Sequence, residues 1–291
     1  MTSITVTAPA KVNLFLKVLS KRADGYHNIL TLFERISLAD TIKISKIPNG
    51  ITIKSDVLIT KNLEHNLVYK AAKLILGRGK IKLGVKIEIE KKIPIAAGLG
   101  GGSSDAAATL IGIKKLFCLR LSGKTLKGMA RSLGADVPFF MLGANFAIGR
   151  GRGDELKAIR SKNRFWHLII KAGNKTATRD IYEAFDEIPN CLTPRPESVK
   201  IRIPSKLRMD YTHIESILHN DLERVVLSKK GVISSISKGL AQLLGKRAIV
   251  SGSGPSLFCL YRTRKEAVKA REIVLRGLSA RQRRGWQVFV A

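Results

Sequence analysis

Apolar residues fall at every second position along Val12, Leu14, Leu16 and Val18, the period of a strand with one buried face. Val6 continues the pattern upstream, but Pro9 has no N–H to give a ladder, so residues 4–18 read as two short strands with a break or bulge. Lys11 and Asn13 fall on the opposite, polar face of the second strand. Side chains two apart on a strand point the same way, so this pair either addresses one ligand or forms an ordinary solvent face. A turn hinged on Asp24-Gly25 follows, then Tyr26 and His27, and then an apolar strand over 29–36. A Tyr-His pair on a loop suits stacking or hydrogen bonding to a flat ring, and equally suits packing. Residues 40–45 and 50–53 read as further strands, which together suggest an antiparallel meander.

Asn66 is placed to N-cap a helix that runs to Leu76 and stops at Gly77. Val85, Ile87 and Ile89 then alternate with Lys86, Glu88 and Glu90, an amphipathic strand that feeds through Lys91 and Lys92 into Pro94-Ile-Ala-Ala-Gly-Leu-Gly-Gly-Gly-Ser-Ser104. Gly98, Gly100, Gly101 and Gly102 give four glycines in five residues, enough to turn the chain through positive φ and bring backbone close to a ligand. Ser103 or Ser104 is placed to cap a helix built from Asp105 onward. Amides converging on a helix N-terminus form an anion site, and the two lysines at its mouth agree with a phosphate cradle. Two familiar phosphate templates fail. The G-x-G-x-x-G fingerprint breaks at Ser103, and Gly123-Lys124-Thr125 has Cys118 where a Walker A loop needs glycine.

A second helix spans 122–133 and ends at Gly134. Asp136 is then the single carboxylate in the apolar stretch from Gly134 to Gly143. Burying it is costly unless it is paired or hydrogen-bonded. It therefore either satisfies local backbone groups or serves as a catalytic base beside a cation such as Lys11. Downstream the pattern gives a strand at 145–149, a basic turn at 149–154, and a domain boundary between 160 and 163. The domains are then 1–160 and 161–291, with the last strand able to return to the first. Strands at 165–170, 248–250, 257–261 and 285–290 alternate with helices at 178–185, from Asn220, from Gly231, and at 265–278. A proline-punctuated loop runs from Pro189 to Pro204, and a second glycine-serine turn from Ser251 to Ser256. Mixed strand and helix order after an antiparallel start indicates an α+β, two-domain protein.

Composition narrows the function class. The chain has 291 residues, 45% of them hydrophobic, as a globular protein does. Its longest charge-free runs fall short of the roughly 18–20 apolar residues needed to cross a bilayer. The N-terminal residues show no signal-peptide pattern. Cys118, Cys191 and Cys259 form no C-x-x-C pair and read as reduced thiols. These features point to a soluble cytoplasmic protein. The 52 Lys and Arg against 22 Asp and Glu give a net charge of +30, which attracts phosphates and nucleic acids. A basic nucleic-acid-binding protein is therefore the rival class. It lacks zinc spacing, a helix-turn-helix signature and an aromatic platform, since aromatics make up only 6%.

Four segments carry a resemblance, in order along the chain: Pro9-Ala-Lys-Val-Asn-Leu-Phe-Leu16 with Arg22-Ala-Asp-Gly-Tyr-His27, the glycine loop to Ala107, Gly134-Ala-Asp-Val-Pro138, and Ser251-Gly-Ser-Gly-Pro-Ser256. Together they resemble the small-molecule kinases of the GHMP superfamily. The Lys-Val-Asn-Leu and Asp-Gly-Tyr-His elements narrow the likeness to members acting on a cytidine diphosphate-linked methylerythritol in the non-mevalonate isoprenoid route. Another alcohol of the same superfamily is the alternative substrate. The resemblance implies a GHMP kinase fold, with an N-terminal domain like ribosomal protein S5 domain 2 and a ferredoxin-like C-terminal domain. It implies ATP and Mg²⁺ as cofactors, and transfer of a phosphoryl group to the 2-hydroxyl of the substrate. Lys11 and Asp136 are the implied catalytic pair. Pro94, Ile95, Ala96, Ala97, Gly98, Leu99, Gly100, Gly101, Gly102, Ser103 and Ser104 are implied to hold the phosphates, with Asn66 and Lys91 toward the adenosine. Asn13, Tyr26 and His27 are implied substrate contacts, and Tyr182 or Phe185 is a candidate to close over the base. Ser103 or Ser104 is the nearest candidate to the metal, whose ligands stay unassigned. The resemblance implies no membrane partner and no specific nucleic acid, and a monomer or weak homodimer. Asp105 and Asp154 read as a first-turn helix charge and a solvated turn residue.

Overall fold

Strand β1 runs unbroken from Ser3 to Lys21, and β2 from His27 to Ile47. The sequence pattern divides each of them in two. Pro9 lies inside β1, where it removes a single backbone donor. The described strand that joins β1 in parallel, β8 (His219–Asn220), pairs only with Phe15 and Leu16, so the position of Pro9 is free of that ladder. The expected solvent face of β1 is also absent. Lys11 and Asn13 are 4% and 2% exposed, and their apolar neighbours Val12 and Leu14 are fully buried, so both faces of the strand are covered. The structure, a computed structural model, describes residues 1–60, 62–174, 176–189, 209–229, 231–279, 282 and 285–291. Beyond Pro189, the whole of the expected proline-rich loop, to Pro204, lies outside these residues.

The chain forms two compact units, and β1 and β2 are each divided between them. The first comprises residues 1–11, 37–95 and 100–144. In it β3 (Ile51–Ser55) pairs in parallel with β4 (Gly84–Glu90), which runs antiparallel to residues 41–47 of β2. The expected meander is therefore a mixed arrangement. A parallel pair needs a crossover, and helix α1 (Leu67–Arg78) supplies it. Its Val68, Ala71, Ala72, Ile75 and Leu76 repeat at helical spacing and are all buried. Helix α1 packs on α2 (Gly101–Leu116), which packs on α4 (Val137–Met141). Gly112 allows the close approach of α2 to the sheet, because a Cβ there would come 2.6 Å from Ile44 Cδ1. Helix α3 (Gly123–Leu133) has the expected Ser122 cap and Gly134 stop.

The second unit comprises residues 12–36, 96–99 and 145–291. Strand β5 (Phe146–Arg150) pairs with residues 31–34 of β2 and forms a hairpin with β6 (Glu155–Ile159). Asp154 in this hairpin is buried, with Arg152 at 3.3 Å, rather than solvated as expected. A four-stranded antiparallel sheet has the order β11 (Trp286–Val290), β7 (Trp166–Ala172), β10 (Ser256–Tyr261), β9 (Ile249–Val250). Helices α5 (Thr178–Asp186), α7 (Glu223–Lys229), α8 (Gly231–Leu244) and α9 (Arg264–Gly277) add Ile181, Val226, Ile236, Leu240 and Val274 to the core that includes Leu168, Ile170, Leu257 and Cys259. The short α6 (Tyr211–Ile217) is capped by Asp210. Among the described residues no helix is long and apolar enough to cross a membrane. Two sheets with interspersed helices make this an α+β fold.

Candidate active site

The glycine loop ends in an uncapped helix. Gly100, at φ +72°, is the N-cap of α2, and no side chain caps that end. The helix starts at Gly101, four residues before the expected start, so Ser103 and Ser104 lie inside its first turns and cap nothing. The first amide to find an intrahelical carbonyl is that of Ser104, which donates to Gly100 O at 2.9 Å. The amides of Gly101, Gly102 and Ser103 precede it and gain no such partner in a helix. The hydroxyl of Ser104 is buried with no hydrogen-bond partner. A water-excluded hydroxyl beneath a set of first-turn amides fits an oxygen-rich anion, because a helix N-terminus carries partial positive charge.

Lys11 and Asp136 meet beside this end of the helix. The Lys11 ammonium stands 3.6 Å from Asp136 Oδ2, with the lysine side chain 5% exposed and the aspartate 33%. The stem of Lys11 passes Gly100 so closely that a Cβ there would lie 3.0 Å from its Cγ and 2.9 Å from Phe140 Cζ. Asp136 is the N-cap of α4, yet its carboxylate makes no capping bond. The local-capping alternative is therefore not realised. The carboxylate is left accessible, with a buried cation next to it.

Asn66 caps α1, accepting from the Val68 amide at 2.8 Å, and its neighbour Leu67 reaches to within 3.8 Å of where a Gly102 Cβ would be. The Lys91 ammonium lies between Asp40 and Asp105, which are almost wholly buried. Asp105 lies in the second turn of α2 and is buried against Lys91, so it is not the expected first-turn helix charge. Burial pushes its carboxyl up to about 7, with Lys91 opposing and Asp40 adding to the rise. Burial works against the charge on Lys91, but the two carboxylates outweigh it and hold the ammonium above its ordinary value. Asp40 is marked by no motif, whereas Asp105 lies inside the glycine-loop segment.

In the second unit, Asn13 donates to Thr31 Oγ1 at 2.8 Å, and Thr31 in turn donates to Phe15 O. His27 is buried, with Nε2 2.7 Å from Asp186 Oδ1 and its ring stacked on Tyr182 at 4.8 Å between centroids. Lys21 holds the other oxygen of Asp186 at 2.8 Å. Partial burial would raise the Asp186 carboxyl, but the bonds from Lys21 and His27 outweigh it and hold it low. Tyr26 is 54% exposed, with the Arg152 guanidinium 5.1 Å from its ring centre. Of the two aromatics expected near the base, Tyr182 is the one on His27, while Phe185 is buried in the core. The turn Ser251–Ser256 joins residues 96–99: Ser251 Oγ donates to Gly98 O at 3.1 Å, and the Ser256 amide donates to Ala97 O at 3.3 Å. Asn220 braces that turn through carbonyls of Val250 and Gly252.

Residues 66–144 match the family described as GHMP kinases N terminal domain. The 4-diphosphocytidyl-2-C-methyl-D-erythritol kinase of Syntrophus aciditrophicus is 38% identical over 93% of this chain and 94% of its own length. The protein of the same name from Thermodesulfovibrio yellowstonii is 39% identical over 92% and 93%. This chain belongs to the 4-diphosphocytidyl-2-C-methyl-D-erythritol kinases. A crystal structure of a 4-(cytidine 5'-diphospho)-2C-methyl-D-erythritol kinase superposes on it with TM-score 0.76 and 32% identity, covering 99% of this chain and 98% of that one. A homoserine kinase from Cytophaga hutchinsonii, 21% identical with TM-score 0.68 over 100% and 95%, shares the fold. Membership makes this chain a kinase with the GHMP fold. Asp40, Asp186 and Asn220 are the polar groups of this kinase that motif reading passes over, while Asp105 is read but misplaced as a first-turn charge. Asp40, between Ala39 and Thr41 in a mainly apolar strand, is recognisable only as a carboxylate that needs a partner, and Asn220 carries no such local signal.

Proposed function

We propose that the protein transfers the γ-phosphoryl group of ATP to the 2-hydroxyl of 4-diphosphocytidyl-2-C-methyl-D-erythritol. The observation that carries this reading is the Lys11–Asp136 pair beside the uncapped N-terminus of α2. Phosphoryl transfer needs positioning and charge neutralisation more than covalent help. The backbone of Pro94 to Ser104 holds the phosphates, with Asn66 and Lys91 toward the adenosine. Asp136 accepts the hydroxyl proton as the alcohol oxygen bonds to phosphorus and the bond to the bridging oxygen of ADP breaks. Lys11, 3.6 Å from Asp136, stabilises the negative charge gathering on the attacking oxygen. Asn13, Tyr26 and His27 hold the substrate, and Tyr182 on His27 supplies the second aromatic surface.

Among the described residues no group of three or more His, Cys, Asp or Glu stands ready for a metal. The unpartnered Ser104 hydroxyl does fit a Mg²⁺ that arrives on the nucleotide. When bound, Mg²⁺ neutralises charge on the phosphate oxygens. ATP as donor agrees with a cytoplasmic enzyme, here a monomer or weak homodimer. The +30 charge serves anionic substrates by attraction. The test is a kinase assay with ATP·Mg²⁺ on the cytidine substrate, mevalonate, homoserine and galactose. Phosphorylation of the first alone is expected, and preferential turnover of another alcohol overturns the reading.

A further inference from the structure

Asp40 is fully buried and belongs to none of the sequence motifs, yet it bonds to three successive residues at the approach to the glycine loop. Its Oδ1 accepts from two successive amides, those of Lys92 at 2.6 Å and Ile93 at 2.7 Å. Its Oδ2 accepts from the Lys91 ammonium, which also donates to Asp105 Oδ2 at 2.8 Å. One carboxylate thereby fixes three consecutive residues where β4 ends. The same three residues support the start of α2. A Cβ on Gly101 would lie 3.0 Å from Ile93 Cγ2 and 3.5 Å from Lys91 Nζ, so the first turn of the helix rests on the side chains that Asp40 holds. Ile93 is itself 1% exposed and cannot move aside without opening a void. Asp105, in the second turn of the same helix, closes the ring through Lys91.

We infer that Asp40 is a positioning residue for nucleotide binding: by holding the Lys92 and Ile93 amides it sets where the first-turn amides of α2 stand. The inference rests on the proposed role of the glycine loop. Asp40 touches no substrate and acts through Ile93 and Lys91. Two backbone donors on one oxygen define the position, since an acceptor moved by a fraction of an ångström loses one of them. The amide bonds, rather than the charge, do the positioning. An asparagine keeps an acceptor at the same place, while Lys91 retains Asp105 as its counter-ion.

The test compares Asp40→Ala with Asp40→Asn, measuring the Kd for ADP·Mg²⁺ by calorimetry and KM for ATP and for the alcohol. Asp40→Ala is expected to raise the ADP Kd and the ATP KM at least about tenfold with the alcohol KM within twofold, and Asp40→Asn to restore both nucleotide values to within about threefold of the unmodified protein. Unchanged ADP binding in Asp40→Ala overturns the inference, as does an equal rise in the alcohol KM. Failure of Asp40→Asn to restore binding overturns it as well. If Asp40→Ala does not fold, Asp40→Ser, too short to reach both amides, carries the same expectation. Gly102→Asp tests the loop reading separately. Its position is open apart from Leu67 at 3.8 Å, and a first-turn acid suits the helix but repels phosphate. If ADP binds Gly102→Asp as well as the unmodified protein, the loop does not hold the nucleotide, whatever Asp40 does.

Discussion

Lys11 Nζ lies 3.6 Å from Asp136 Oδ2, an ion pair in which the cation is buried and the carboxylate remains one-third exposed. The pair leaves the acidic partner open and gives it no capping duty. That asymmetry suits a base that must meet a hydroxyl. Asp136→Asn removes the proton acceptor while preserving shape, so kcat is expected to fall by about 10²–10⁴ with the alcohol Kd nearly unchanged. Lys11→Met should fall comparably and stay folded, because the stem still fills the space against Gly100 and Phe140. Steady-state kinetics with calorimetric binding checks both, and near-normal kcat in Asp136→Asn removes it as the base.

Asp186 holds the His27 ring from one side while Tyr182 stacks on its face. With Nε2 committed to the carboxylate, Nδ1 is the ring nitrogen left for a ligand. Asp186→Asn leaves the ring stacked but free to change tautomer. The expected result is an alcohol KM raised about tenfold, in the range of one lost charged hydrogen bond, with the ATP KM unchanged. Equal rises in both would point to a general loss of structure instead.

Within the same loop two glycines should respond with opposite sign. Gly98 has φ +76°, and a Cβ there would lie 2.5 Å from Ser251 O and 2.8 Å from Gly254 O, both rigid backbone atoms. Gly98→Ala combines left-handed strain with that clash and is expected to destabilise by about 2 kcal/mol or more. Gly102 is helical, and a Cβ would meet only Leu67 at 3.8 Å. Gly102→Ala should gain roughly 0.5–1 kcal/mol from helix propensity. Urea unfolding of the two variants decides the matter, and equal effects would refute the described loop conformation.

Sequence shows some of this fold and site because some interactions are local. The strand β4 and helices α1 and α3 follow from period and N-caps, since Asn66 and Ser122 each bond an amide two or three residues on, although α1 runs through the expected stop at Gly77 to Arg78. Lys11, Asp136 and the glycine loop stand out because their chemistry sits in short contiguous patterns. Asp40 and Asp186 do not, because their partners lie 51 and 159 residues away, and the pairing of Asp105 with Lys91 is equally unmarked although Asp105 itself is in the loop pattern. Pairing across such distances leaves no local trace. Long β1 and β2 read as broken because Pro9 and the polar residues after Ile36 look like punctuation, and tertiary pairing overrides that signal. Ser103 and Ser104 resemble caps, but Gly100 adopts the cap position first.

The buried cluster around Lys91 should make stability fall as pH rises. Asp105 titrates at about 7 in the folded chain, against about 3.9 for an ordinary aspartate. Between those values the folded state binds more protons than the unfolded one, so stability decreases with rising pH across that window and levels off above 7. Below the lower value both states are protonated and the effect is absent. Lys91 does not offset it there, because its own raised value lies above 10.5, where only alkaline pH acts. In Asp105→Asn this term disappears, leaving Lys91 neutralised by Asp40 alone. The variant is expected to be more stable than the unmodified protein at pH 8, by on the order of 1–3 kcal/mol, and no more stable at pH 4. Urea unfolding at a series of pH values measures the difference directly. A variant less stable at pH 8 by a similar amount would mean that the Asp105 carboxylate is ionised and stabilising in the fold.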